Sequence, residues 1–136
     1  MKAAEAYRLM ASVPVATLAT LRPDGSPHLV PIVFTVSGEK IITAIDGKPK
    51  QQVTPGRLLN LRADPRVSIL AHHYNDDWSR LWWVRIDGTA RVLDEGDEYS
   101  QGLTALRERY SQYRTTSLPG PVIVVDPAAV IGWSAT

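Results

Sequence analysis

The spacing of apolar residues divides the chain into strand-like and helix-like stretches. Alternation of apolar and polar residues over a few positions indicates a half-buried strand, whereas apolar residues three and four apart indicate a helix. The strand-like stretches, in chain order, are VATLATL, HLVPIVFTV, IITAI, RVSILAHHY, RLWWVRIDGTARVL and PVIVVDPAAVIGW. The last of these is long enough for one or two strands, so the pattern predicts six or seven strands.

Three stretches predict helices. Residues 3–13 carry apolar side chains at helical spacing, and Pro14 ends that segment. Thr54 and Pro55 are typical of an N-cap and a first helical residue, and predict a second helix through GRLLNLRA. Residues 95–113 predict an amphipathic third helix. Its apolar face consists of Tyr99, Leu103, Leu106, Tyr110 and Tyr113.

Turn residues between the strands suggest how the strands pair. Asp24-Gly25 and the segment SGEK are hairpin signals, so the first three strands are expected to form an antiparallel meander. Gly88, inside the fifth strand, predicts a bulge or bend. Many hairpin-linked strands with few helices favour a barrel or a sandwich with helical plugs, and 136 residues suit a single domain, 1–136.

Composition narrows the classes of function. The chain has no cysteine, so disulfides and thiolate sites are excluded. The formal net charge of +1 argues against general nucleic-acid binding, which requires a strongly basic domain. The apolar runs are too short for a membrane span, and the N-terminus lacks the apolar core of a signal peptide. We therefore expect a cytoplasmic protein that binds neither membrane nor nucleic acid.

Positive charge is concentrated between the third and fourth strands. Five Lys and Arg residues lie within 44–70, against two aspartates. The segment is a solvated loop, a nucleic-acid patch or a site for an anionic ligand. Lys48 and Lys50 project to one side if the loop is extended, and Arg57 lies in the first turn of the predicted helix. Because cations are unfavourable at a helix start unless an anion compensates, the anion site is preferred.

Two further clusters contain residues capable of chemistry. His72 and His73 with Asp76 and Asp77 resemble metal ligands, but adjacent residues of a strand point to opposite faces, and no metal is predicted. Trp82 and Trp83 likewise face opposite sides of their strand, so one can be core while the other is not. The outward tryptophan is expected to form a subunit interface or a wall beside a flat cofactor ring.

The sequence offers no obvious catalytic side chains. A nucleophile-elbow G-x-S-x-G is absent, and no acid–base pair stands out, so the catalytic residues are unknown. An anion site with aromatic walls suits a borrowed cofactor that carries the chemistry.

Three segments resemble a known family. ATLRPDGSPHLVPIVF, GRLLNLRADPRVSIL and WWVRIDGTARVL are similar, in order and spacing, to the pyridoxamine 5′-phosphate oxidase-like split β-barrel proteins. The resemblance spans residues 5–135. DGKPK and RLWWVR further resemble the actinobacterial flavin/deazaflavin oxidoreductases that use the deazaflavin coenzyme F-420.

The resemblance implies a mainly β fold with inserted helices, namely an antiparallel split β-barrel of the FMN-binding type. It implies a homodimer with two cofactor sites at the interface. The phosphate-bearing tail would contact basic residues after the third strand, the end of that strand would border the cofactor, and the partner's tryptophans would close the ring pocket. The corresponding residues are Lys48, Lys50 and Arg57 for the tail, Ala44, Ile45 and Asp46 for the border, and Trp78 or Trp83 for the ring.

The implied activity is hydride transfer between the reduced coenzyme F-420 and an unidentified small molecule. Two alternatives stay open, an FMN-dependent oxidoreductase and a non-catalytic carrier of a flavin, heme or tetrapyrrole.

Overall fold

The computed structural model describes residues 1–45, 55–115 and 120–136. Those residues form one seven-stranded antiparallel sheet with a few helices, which confirms the predicted mainly β class. The strands are β1 (Val15–Leu21), β2 (Pro27–Val33), β3 (Thr35–Ser37), β4 (Lys40–Ala44), β5 (Arg66–His73), β6 (Trp82–Leu93) and β7 (Val122–Ser134). The helices are α1 (Ala3–Ala11), α2 (Gly56–Ala63), α3 (Asp97–Arg109) and α4 (Gln112–Thr115), with a 3₁₀ turn at Trp78–Arg80.

The strand order shows that the sheet is curled. The order is β2-β1-β5-β6-β7-β4-β3, so β2 and β3 occupy its two ends although only Phe34 separates them in sequence. A single residue spans only a few ångströms, and the two ends must therefore approach each other. The Thr43 hydroxyl of β4 donates to the Val33 carbonyl of β2 at 2.7 Å. This curled half-barrel agrees with the split β-barrel that the resemblance implied.

The two hairpin pairings of the expected meander are present, but its middle strand is not continuous. The stretch HLVPIVFTV breaks at Phe34 into β2, which pairs with β1, and β3, which pairs with β4. Phe34 is fully buried, so the alternation of core-facing residues continues across the corner. A pattern of period two cannot reveal such a break, because it reports which face is buried and not which strand lies alongside.

The second helix begins one residue later than predicted. Pro55 has an extended ψ of 142° and occupies the N-cap position, with Gly56 as the first helical residue. The Pro55 carbonyl accepts hydrogen bonds from the amides of Leu58 and Leu59, as a cap residue's carbonyl does. Thr54, the predicted cap, lies outside the described residues.

Two apolar clusters lie on opposite sides of β4 and β7. The inner cluster fills the half-barrel, and helices α1 and α2 contribute Met10 and Leu58 to it. The outer cluster lies between α3 and the strands, with Leu106 packed near Ile42 and Val124. The aromatic and leucine face predicted for residues 95–113 packs on this cluster. Helix α3 therefore covers the outer face of β4 and of the first half of β7.

The predicted bulge at Gly88 is present. The pairing of β6 with β7 shifts between Asp87 and Gly88. A Cβ at Gly88 would lie 2.3 Å from the Asp126 carbonyl oxygen, so only glycine fits there without displacing β7. Asp87 pairs with Ala129 and Gly88 with Pro127, so the extra residue of the bulge is Ala128 of β7.

Within the described residues, no helix has the length and apolar character that crossing a membrane requires.

Candidate functional site

An open groove lies on the outer face of the sheet, where α3 does not cover it. Its volume is about 630 Å³, and its walls are mostly apolar. Strands β1, β2, β5 and β6 supply most of its lining, together with Tyr74 just beyond β5. The lining residues are Thr17, Ala19, Leu29, Ser68, Leu70, His72, Tyr74, Trp83 and Arg85.

Strand register explains why these residues meet. Thr17 pairs with Leu70, which in turn pairs with Arg85, so the three side chains form one row across the sheet. His72 pairs with Trp83 in the neighbouring row. Since alternate residues of a strand face the same side, each of these strands turns a different set of residues into the inner core.

Aromatic side chains form one end of the groove. Trp82 is buried in the inner cluster at 7% exposure, whereas Trp83 is half-buried and lines the groove. The prediction that the two tryptophans face opposite sides is therefore confirmed. The rings of His72 and Tyr74 meet edge to face with their centroids 6.0 Å apart. The groove thus offers aromatic surface to a flat apolar ligand.

Among the residues that the structure describes, Arg85 brings a charged side chain into the lining of the groove. Arg85 donates through Nε to both carboxylate oxygens of Asp87, each at 3.2 Å. The Ser68 hydroxyl donates to Asp87 Oδ1 at 2.6 Å. The carboxylate is therefore held from two sides, and it fixes the position of the Arg85 guanidinium.

Trp78, the other tryptophan suggested for the ring, lies elsewhere. It belongs to the 3₁₀ turn after β5, is 77% exposed, and is not part of the groove lining. The structure therefore brings Trp83, and not Trp78, to the groove of the same chain.

The end of β4 is less accessible than expected. Ala44 belongs to the outer cluster and Ile45 to the inner one, so both side chains are buried. The Ile45 amide donates to the Pro121 carbonyl at 3.0 Å. Neither side chain is available to a cofactor, which leaves any contact at these positions to the backbone.

The predicted basic cluster is described only in part. Asp46, Lys48 and Lys50 lie outside the described residues. Arg57 lies in the first turn of α2, is half-exposed, and forms no hydrogen bond or ion pair with the described part of the chain. Its guanidinium therefore has its donors available to an anion.

The sequence analysis did not predict a polar network that lies beside the start of α2. The buried Asn60 amide donates to the Thr20 hydroxyl at 2.9 Å and contacts His28 Nδ1 at 3.0 Å. With the amide as donor, Nδ1 accepts and the neutral ring carries its proton on Nε2. A Cβ at Gly56 would lie 3.0 Å from the His28 ring. The sequence did contain a signal for this position, because the alternation of β2 puts His28 on the same side as the core-facing Val30 and Ile32.

The strongest ion pairing lies away from the groove. Arg91 of β6 donates to Glu98 of α3 at 2.9 Å and to Asp126 of β7 at 2.6 Å, and Lys40 of β4 approaches Asp126 at 3.2 Å. The hydrogen bonds from Arg91 hold the pKa values of Glu98 and Asp126 below their ordinary range, and the same bonds raise the pKa of Arg91. This network ties α3 to the sheet and has a structural role.

The curled antiparallel sheet and the groove on its outer face define a split β-barrel protein. The sequence profile described as pyridoxamine 5′-phosphate oxidase matches residues 3–134. The chain therefore belongs to the pyridoxamine 5′-phosphate oxidase family. No curated protein matches the sequence.

Solved structures share the fold over nearly the whole chain. A conserved hypothetical protein from Mycobacterium tuberculosis is 25% identical with a TM-score of 0.82, covering 99% of this chain and 86% of that one. An FAD-binding protein from Mycobacterium smegmatis is 18% identical with a TM-score of 0.65, covering 98% and 96%. The heme storage protein from Vibrio cholerae is 15% identical with a TM-score of 0.71, covering 96% and 90%. Proteins with this fold thus include flavin binders and heme binders.

Proposed function

We propose that the protein is a coenzyme F-420-dependent oxidoreductase, which transfers hydride between the reduced deazaflavin and a small molecule. The observation that carries the proposal is the apolar groove of about 630 Å³ with Trp83 in its wall. A flat ring system buries its faces well against such a surface. The bound coenzyme supplies the hydride chemistry, which accounts for the lack of an acid–base pair among the described residues of the groove.

The protein's own residues hold and orient the coenzyme in this proposal. Trp83 and Leu70 contact the ring, and Arg57 meets the anionic tail together with Lys48 and Lys50. A charge-assisted hydrogen bond from a guanidinium to a phosphate is short and geometrically specific. Arg57 suits this role because its donors have no partner among the described residues.

The proposal includes a homodimer. The groove is open on one side, and a second copy would supply the missing wall, including a partner's tryptophan such as Trp78. With the groove closed by the second copy, water is excluded from the deazaflavin ring, and this exclusion favours productive hydride transfer.

Cofactor titration tests the proposed function. Fluorescence titrations with F-420 and with FMN should show preference for the deazaflavin, and protein purified from a host without F-420 should be colourless. Arg57→Ala should weaken F-420 binding roughly ten- to a hundredfold, because a charge-assisted contact is worth about 1.5–3 kcal/mol.

Arg62→Ala is the matched control for that substitution. Arg62 lies on the same helix, is exposed and has no ion-pair partner among the described residues, so its loss should leave the affinity unchanged. Equal binding of F-420 by wild type and Arg57→Ala would remove Arg57 from the site. A yellow protein that binds FMN and not F-420 would replace the proposed coenzyme with FMN.

A heme carrier is the second candidate, and His72 is the observation that favours it. Its imidazole lines the groove, and imidazole is a common axial ligand of heme iron. If heme is the ligand, titration with hemin should give a sharp Soret shift that His72→Ala abolishes. His73→Ala is the control, since His73 is exposed, contacts Asn75 and does not line the groove.

A further inference from the structure

Arg85 is the one described residue in the groove lining that carries a full charge. The other polar groups there are the hydroxyls of Thr17, Ser68 and Tyr74 and the imidazole of His72. A single cation in a mostly apolar groove favours a ligand that combines a flat apolar body with one anionic group.

The hydrogen bonding of Arg85 leaves the four N–H donors of its two Nη groups available. Asp87 takes only Nε, and neither Nη1 nor Nη2 of Arg85 bonds to the described residues. Arg66 offers a contrast, because Asp64 takes both its Nε and its Nη2, the latter at 2.8 Å. Both arginines lie two residues from their aspartate. They differ in the donors that the aspartate occupies, which are Nε and Nη2 in Arg66 but only Nε in Arg85.

Asp87 fixes the guanidinium without saturating it. The Ser68 hydroxyl also bonds to Asp87, so the carboxylate is held from a second side while it anchors Arg85 through Nε. The edge formed by the two Nη groups matches the spacing of carboxylate oxygens, which a fixed arginine binds through two parallel hydrogen bonds. The Arg85–Asp87 pair is neutral as a whole, so recognition rests on this short-range geometry and not on long-range attraction.

We infer that Arg85 is a substrate-binding residue, and that the substrate class is a flat, conjugated carboxylic acid whose carboxylate pairs with its Nη edge. This inference rests on the proposed oxidoreductase function. In that reaction a carbon–carbon double bond conjugated with the carboxylate of the substrate is reduced. The carbon β to the carboxylate gains a hydride, and the α carbon gains a proton from water. The acid is reduced, the reduced deazaflavin is the reductant that is oxidised, and the carboxylate is unchanged.

Binding of naphthoate and of its neutral isostere naphthamide tests the inference without any coenzyme. Fluorescence titration of the purified protein should show roughly ten- to a hundredfold tighter binding of the carboxylate, as a charge-assisted bidentate contact implies. Arg85→Gln should abolish that preference, whereas naphthamide should bind the variant as it binds wild type. Arg66→Gln, the matched Asp-paired arginine, should keep the full preference.

Arg85→Lys provides a second variant, since it keeps the charge and loses the planar fork. It should retain only part of the preference, and circular dichroism should show both Arg85 variants folded. Equal affinity of wild type for naphthoate and naphthamide, or a preference that survives in Arg85→Gln, would overturn the inference. If Arg85→Gln does not fold, an undiminished preference in Arg85→Lys would overturn it equally. Failure of F-420 to bind in the separate titration would remove the proposed function and leave this anion site intact.

Discussion

Tyr110 shows how one hydroxyl group can satisfy the backbone at a corner of the fold. The Phe34 amide donates to Tyr110 Oη at 3.1 Å, and the same hydroxyl donates to the Phe34 carbonyl at 2.7 Å and is shared with the Pro14 carbonyl at 2.8 Å. Arg109 also donates to the Phe34 carbonyl, at 2.5 Å, and its guanidinium lies 4.7 Å from the Phe34 ring centroid. The residue between β2 and β3 therefore depends on side chains for the hydrogen bonds that a strand would supply.

Tyr110→Phe should lower the free energy of unfolding by about 1–3 kcal/mol, because it leaves the Phe34 amide without its partner in a part-buried position. Urea denaturation would measure the loss. Tyr74→Phe is the control, since the Tyr74 hydroxyl is exposed and bonds to none of the described residues, and it should change stability little. Equal stability of Tyr110→Phe and wild type would show that water satisfies the Phe34 amide.

At the level of elements, Gly88 of β6 lies close to the backbone of β7, next to the bulge in that strand. Gly88→Ala would place its Cβ 2.3 Å from the Asp126 carbonyl oxygen, which belongs to the backbone of β7 and cannot move alone. We expect a loss of about 1–3 kcal/mol, as for other overpacked sites. Thermal and urea unfolding would measure it.

Gly132→Ala is the matched control for the bulge. Its Cβ would lie 2.6 Å from the Met1 sulfur, which is the far end of a flexible terminal side chain, and 3.2 Å from the Trp83 carbonyl. This substitution should cost much less than Gly88→Ala. If both variants were equally stable, the strands would have enough freedom to separate at the bulge.

For the whole molecule, the ion network predicts how stability depends on pH. The folded-state pKa values of Glu98 and Asp126 lie below their ordinary values because Arg91 donates to both carboxylates. Their contribution is therefore present above the unfolded-state pKa, about 4, and is lost as the pH falls through the folded-state values. Melting temperature should fall on acidification below about pH 5, and it should fall less in Arg91→Gln.

Arg62→Gln serves as the control for the acid dependence, because Arg62 is exposed and pairs with no described carboxylate. Its melting temperature should follow the wild-type curve from neutral to acidic pH. An Arg91→Gln curve parallel to wild type would place the acid-sensitive groups elsewhere.

The outer face also bears on assembly. Several large apolar side chains of this face are exposed, and they share the side of the sheet on which the groove lies. They are Val15, Leu29, Leu70, Ile131 and Trp133. We propose that a second copy covers this face, because a contiguous exposed apolar surface is typical of an interface.

Analytical ultracentrifugation should give twice the chain mass of 15.0 kDa. Val15→Glu should shift the protein to the monomer, because it buries at the contact a charge whose cross-strand neighbour is the apolar Val33. Leu59→Glu is the control, since Leu59 is exposed to a similar degree as Val15 but lies on α2 away from this face, and the variant should remain dimeric. A wild-type monomer at micromolar concentration would contradict the proposed shared site.

The sequence was informative wherever a local pattern reports burial. Three features were predictable from local properties, namely the side-chain period and glycine's lack of a Cβ. They are the opposite orientations of Trp82 and Trp83, the apolar face of α3 and the bulge at Gly88. His28 and Asn60 had the same local signal, yet their contact joins residues 32 apart and appears only in the fold. The basic residues of 46–54 lie outside the described part of the chain, so their role is still a prediction.

By itself, the sequence determined the class of fold, the residues that face the core and the family resemblance, since each depends on residue type and spacing. Only the tertiary structure decided that Phe34 is a corner between the two ends of the sheet, because strand order depends on contacts between distant segments. It also decided that Arg85 lies among aromatic and apolar side chains with its Nη groups unbonded to the described residues. Strand register across β1, β5 and β6 assembles that groove, and register is a property of the paired strands together.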